Sequence, residues 1–182
     1  MKLPIKKLNE ERVLNVSMRV EPGIIFCIPL FMQKDDWKLK AKLTEDDLDK
    51  EFAFGRVVDS SSALLVEIFN KISSSKTDID DIIDSGTMFS PVSIFWDGVV
   101  KKRWRIIGKT ENYDKFKDSN YASLKVAFPP GHDDIFRLLD LATDKETPIS
   151  RDELMLKRYE TSTVWWPIDL ENRILEALKE SG

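Results

Sequence analysis

The sequence predicts an α+β protein: a strongly curved, partly barrel-like antiparallel sheet, with helices mainly in the C-terminal third. Three observations carry this expectation. Short apolar runs bounded by Gly, Pro, Asp and Ser recur between about residues 20 and 130. Patterns for longer helices, with a capping residue ahead of one-face apolar spacing, come only after that region. Strands first and helices last is the order of segregated α+β folds. A chain of 182 residues fits one domain at about 150 residues each. The expected division is residues 1–182 as a single domain, with a sheet core over about 20–130 and a helical part over about 131–182.

The elements follow in order. The turn Glu21-Pro22-Gly23 opens a strand, Ile24 to Leu30, that is apolar on both alternating faces. Phe52 to Val58 and Leu64 to Phe69 repeat that character, which implies a sheet covered on both sides or closed on itself. Val92 to Trp96 runs into Asp97-Gly98, a two-residue hairpin signal, so Val99 to Gly108 is expected as its return strand. Leu124 to Phe128 is the expected last strand, ending at Pro129-Pro130-Gly131.

The connections differ in kind. Gln33 to Glu51 is charged; within it Trp37 to Leu43 alternates like an exposed ribbon, and Thr44-Glu45-Asp46-Asp47 suits one helical turn. Ser73 to Asp84 reads as an Asp-rich loop with a helical turn, and Asn112 to Ser123 as a polar connection. In the last third, Asp133 or Asp134 is placed to cap a helix carrying Ile135, Leu138, Leu139 and Ala142. Ser150-Arg151-Asp152-Glu153 is a capping-box pattern, and Asp169 is placed to cap a helix over Leu170 to Leu178 with Ile174, Leu175 and Leu178 on one stripe.

Composition narrows the function classes. The chain has 28 Lys and Arg against 32 Asp and Glu, a net charge of −4. Cys27 is its one cysteine, which rules out an internal disulfide framework and fits a reducing cytoplasm. No apolar run approaches the ~20 residues of a membrane span, and Met1 to Glu11 lacks the apolar core of a secretory signal. Catalysis through histidine rests on His132 alone, without a nucleophile elbow, and Cys27 sits inside an apolar strand where a thiol is inert. Metal and cofactor sites have no motif. Asp78 to Asp84 departs from a calcium loop, because Ile82 and Ile83 stand where an oxygen ligand and a glycine are needed. No phosphate-cradling glycine pattern occurs.

Two alternatives stay open. Lys101-Lys102-Arg103-Trp104-Arg105 would suit single-stranded nucleic acid if Trp104 stacked on bases and Arg103 and Arg105 met phosphates. The acidic balance favours the other reading, in which the cations pair with acids and Trp104 enters the core. A carboxylate-based hydrolase is the second alternative, though nothing marks two acids among the 32. Trp165-Trp166, ahead of Pro167, reads either as an exposed anchor or as packing for the last helix.

Four motifs in order, Gly23-Ile24-Ile25-Phe26-Cys27-Ile28-Pro29-Leu30, Phe52-Ala53-Phe54-Gly55-Arg56-Val57, Leu65-Val66-Glu67-Ile68-Phe69 and Arg103-Trp104-Arg105-Ile106-Ile107-Gly108, resemble the immunity protein 26 family of bacterial polymorphic toxin systems. The resemblance spans Gly23 to about Phe128. It implies a non-catalytic cytoplasmic protein, without cofactor or metal, that binds a cognate toxin, expected one-to-one, and neutralises it. Neither nucleic acid nor membrane is an expected partner. Because many such toxins are nucleases with basic grooves, the expected contact residues are Asp46, Asp47, Asp49 and Glu51, with Asp78, Asp80, Asp81 and Asp84. Within the motifs, Gly55 is expected to permit a close approach or a bulge. Arg56, in an apolar strand, requires a carboxylate, and Glu67 on the next strand is the expected partner.

Overall fold

The apolar runs become neighbouring strands. The computed structural model describes residues 20–32, 43–61 and 64–180. β1 (Ile24–Pro29), β2 (Phe52–Asp59) and β3 (Leu65–Ile68) are buried along their whole length. With β4 (Val92–Ile94), β5 (Arg105–Lys109) and β10 (Val164–Trp165) they form a six-stranded sheet in the order β10-β4-β3-β2-β1-β5. A second sheet, in the order β8-β7-β6-β9, is built from β6 (Lys125–Phe128), β7 (Phe136–Asp140), β8 (Lys145–Ile149) and β9 (Glu160–Thr161). Both are open sheets, not closed barrels. Pairing is antiparallel except at β10 with β4 and β9 with β6, which run parallel. The five α-helices among the described residues are α1 (Ile79–Asp84), α2 (Asp97–Val100), α3 (Lys115–Asp118), α4 (Arg151–Lys157) and α5 (Pro167–Glu180), the two longest lying in the C-terminal third. Leu43 is the one residue of the Trp37–Leu43 ribbon that is described; the rest of it, and Met1 to Glu11, lie outside the described residues.

Alternation along the strands gives the larger sheet two distinct faces. One carries Ile24, Phe26, Ile28, Ala53, Val57, Val66, Ile68, Val92 and Ile94 against Trp104 and against Leu170 and Ile174 of α5. There Gly55 lets the Phe26 ring lie on the backbone: a Cβ would stand 2.6 Å from Phe26 Cζ. The opposite face holds two apolar clusters. Cys27, Phe52, Phe54 and Phe69 pack with Ile82 of α1, while Val58 and Leu65 pack with Tyr121. Between those clusters Arg56 sits directly opposite Glu67 in the β2–β3 register, with Nε donating to Oε1 at 2.6 Å. The sequence expectation for this pair holds.

Two expectations fail. Asp97-Gly98 is not a hairpin. These residues lie in α2, where the Lys101 amide donates to the Asp97 carbonyl at 2.9 Å, and Gly98 lacks the Cβ that would meet Trp104 Cδ2 at 2.4 Å. The chain turns through left-handed Lys102 (φ 59°) and β5 joins β1 at the far edge, not β4. Glycine here serves ring packing; the same dipeptide read from sequence signals a turn.

The helix expected over Ile135 to Ala142 is β7, paired with both β6 and β8. Leu138 and Leu139 satisfy either periodicity, and the turns decide. Asp133 accepts from the Ile135 amide at 3.3 Å, Asp140 accepts from the Ala142 and Thr143 amides, and Asp134 and Asp144 are both left-handed at φ 56°. Aspartates that close turns on their own backbone compete with a helix start. β6 is therefore not the last strand but the centre of a second sheet, whose core is Ala127, Leu138, Ile149 and Leu154.

The two remaining helices form where expected, although Asp169 is inside the second one and does not cap it. Ser150 Oγ accepts from the Glu153 amide at 3.1 Å and starts α4. α5 begins at Pro167, ahead of the expected Asp169; proline at the first helical position has no amide to leave unpaired. Its inward residues Leu170 and Ile174 are fully buried, and Glu171 is buried beside them. Glu171 accepts both Arg103 Nε (2.7 Å) and Nη2 (2.6 Å), and Trp104 Nε1 at 2.8 Å. A buried carboxylate with three charge-assisted or indole donors is compensated where a lone one would not be.

Candidate partner-binding surface

The two acid-rich segments, separated in sequence, are neighbours in space. Residues Asp46–Asp49 form a 3-10 turn. The Ser75 amide and hydroxyl both donate to the Leu48 carbonyl, at 3.1 and 3.0 Å, and Lys76 Nζ pairs with Asp49 Oδ1 at 2.6 Å. That seam sets the turn beside the segment leading into α1, which carries Asp80, Asp81 and Asp84 on its exposed side and Ile79 and Ile82 on its buried side. Local amphipathicity explains the display: Ile82 enters the apolar cluster of Phe52, Phe54 and Phe69, and the intervening carboxylates are turned to solvent.

The eight acids divide by what they touch. Asp47 accepts from the Thr44 amide and hydroxyl at 2.8 Å and from Lys50 Nζ at 2.7 Å. The Lys50 ammonium and the Thr44 donors hold its carboxyl well below the usual carboxylate range. Asp78 caps α1, accepting from the Asp80 amide at 3.2 Å. Both are committed to local backbone. Asp49 is exposed but paired with Lys76. Asp46, Glu51, Asp80, Asp81 and Asp84 are exposed and make no ion pair among the described residues.

The basic run Lys101–Arg105 is mostly a turn ahead of β5, and its Arg103 and Trp104 point inward. Arg103 and Trp104 are 2% and 1% exposed, and Trp104 stacks on Phe26 with ring centroids 5.6 Å apart. Arg105 Nη2 donates to the Leu43 carbonyl at 3.0 Å. Trp104 therefore offers no stacking platform, and Lys101, Arg103 and Arg105 meet carboxylate or carbonyl groups. His132 lies exposed in the turn after Pro130. Cys27 is buried, and burial pushes its thiol up to about 12. No cluster of three or more His, Cys, Asp and Glu able to hold a metal occurs among the described residues. No helix among them is long and apolar enough to cross a membrane.

The tryptophan pair splits between its two readings. Trp165 packs against the main core, whereas Trp166 is 44% exposed and stacks on Phe95 at 4.4 Å. The parallel register of β10 on β4 puts Val164 and Trp166 on the same outward side as Phe95. Sequence reasoning did not single out Phe95 and Val164. A strand period over Val164 to Trp166 was the available signal, since alternation alone sends Trp165 in and Trp166 out.

Comparison with curated proteins and with solved structures finds no match. Residues 21–131, more than half of the chain and the span that holds the larger sheet's first five strands, match the family model described as immunity protein 26. On that match, the chain belongs to the immunity protein 26 family.

Proposed function

We propose that this protein is a cytoplasmic, non-catalytic immunity protein that binds a cognate polymorphic toxin one-to-one and neutralises it in the producing bacterium, with residues 1–182 working as one unit. The acidic surface formed by Asp46, Asp49, Glu51, Asp80, Asp81 and Asp84 meets a basic surface of the toxin, such as the substrate groove of a nuclease. Asp47 and Asp78 support that surface from within the turns. The observation that carries the reading is the adjacency of the two acidic segments through Ser75 and Lys76, in a chain of an immunity family. Carboxylates on a surface of this kind raise the association rate with a basic partner and make it salt-dependent.

The test is retention of a toxin from lysate of the source bacterium on tagged protein, followed by co-expression rescue. One protein retained at near one-to-one ratio, toxic unless this chain is present, supports the reading. The triple substitution Asp80→Lys, Asp81→Lys and Asp84→Lys is expected to slow association at least about tenfold at low salt. Unchanged association would remove these residues from the interface, and absence of any rescued toxin would remove the immunity reading itself.

A further inference from the structure

We infer that residues 111–120 form a strap that opens as a local unit over the Arg56–Glu67 pair, leaving the sheet beneath it folded. The inference does not depend on the identity of a partner. It rests on how the strap is held. No residue from 111 to 120 belongs to any of the apolar clusters; the first that does is Tyr121. Two rings touch its surroundings, Tyr113 against Gly23 and Phe116 edge-on to Tyr121 at 5.3 Å, and the rest of its attachment to the sheet is polar. Arg56 Nη2 donates to the Asp118 carbonyl at 2.6 Å and to Ser119 Oγ at 3.2 Å. Ser119 Oγ donates to Glu67 Oε1 at 2.8 Å and lies 2.6 Å from Tyr113 Oη. The Tyr113 ring covers the Arg56 guanidinium at 4.9 Å, and Lys115 Nζ reaches Asp59 at 3.2 Å.

Opening such a cover differs from lifting an apolar one. Two charges regain hydration when the strap leaves, which offsets part of the lost hydrogen bonding. The apolar clusters on either side keep their own packing. The ends of the strap suit the movement: Asn112 and Asn120 are both left-handed, at φ 53° and 50°, a conformation asparagine tolerates better than most residues. Thr110, whose amide donates to the Gly23 carbonyl at 2.9 Å, and buried Tyr121 fix the two flanks. Closed, the strap shows solvent the exposed Phe116; open, it shows the charged floor of Arg56 and Glu67. A ligand that distinguishes these surfaces shifts the population between them.

Amide hydrogen exchange on the full chain tests this. The amides of Lys117, Asp118 and Ser119, which bond within the strap to Asp114 and Lys115, are expected to exchange much faster than those of β2 and β3. Ser119→Ala touches only the strap's side of the seam. Its hydrogen bonds are lost from the closed state that both strap opening and global unfolding leave, so strap, β2 and β3 exchange are expected to speed by a similar factor, about tenfold, with the gap between strap and strands kept. Strap and strand amides exchanging at one common rate would overturn the inference. So would a Ser119→Ala variant that speeds neither, or speeds the strands and not the strap.

Discussion

Arg56 and Glu67 face each other on adjacent strands with Nε and Oε1 2.6 Å apart, each side chain 2% exposed. The pair sits in the centre of the larger sheet, with apolar clusters to both sides, and it bonds further to Ser119, the Asp118 carbonyl and Thr110. An ion pair so placed contributes less through its mutual attraction than it costs to break.

Removing one partner should therefore be worse than removing both. Glu67→Leu or Arg56→Met alone is expected to lower unfolding stability by about 3–5 kcal/mol, and the double variant by less than the sum of the two. Denaturant midpoints of the three variants check this; strict additivity would show that the charges act independently.

Gly98→Ala drives a methyl into the face of Trp104, which is itself fixed between Phe26 and Glu171. The neighbour cannot yield, so a loss of about 1–3 kcal/mol is expected, as for overpacked cores. Thermal melting measures it. Gly86→Ala is the contrast: a Cβ there meets nothing within 4 Å, and the cost comes only from its φ of 72°.

Burial pushes the Tyr113 phenol up to about 12, with the Glu67 carboxylate adding to the rise and the hydrogen bond with Ser119 opposing it. The unfolded phenol ionises near 10, so between about pH 10 and 12 the unfolded chain binds fewer protons than the folded one. Stability from this group is complete below pH 10 and is lost as pH rises through that window. Tyr113→Phe should flatten the alkaline limb of a stability–pH curve. An unchanged limb would place the titration elsewhere.

Cys27 lies within β1 at 1% exposure, its thiol raised by burial to about 12. A thiol-specific reagent at neutral pH is expected to label it only as fast as the protein unfolds. Labelling within the mixing time of native protein would show that β1 opens locally.

Much of the larger sheet was legible because its strands are apolar on both faces, and because a lone arginine among them demands an acid: Arg56 named Glu67 before any geometry was known. The local meaning of Asp97-Gly98 was not legible. A glycine needed beneath a tryptophan and a glycine needed for a turn are the same letter, and only the approach of Trp104 separates them. Leu138 and Leu139 were ambiguous for a related reason, since a short apolar pair fits both periods and the decision passed to aspartates in the flanking turns. Among the acids, composition could find the clusters but not their division. Asp47 and Asp78 bond their own turns, while Asp80, Asp81 and Asp84 face water because Ile82 faces inward.

The contact between Arg103 and Glu171 joins residues 68 positions apart. During synthesis at about 5–20 residues per second, the guanidinium waits roughly 3–14 s for its carboxylate. Over the same interval Phe26, Val57 and Ile68 have no helix to lie against, although every strand from β1 to β4 has already been made. The nascent chain thus passes through a stage with its largest apolar surface uncovered, and chaperone demand should peak in that interval and fall once Leu170 and Ile174 arrive.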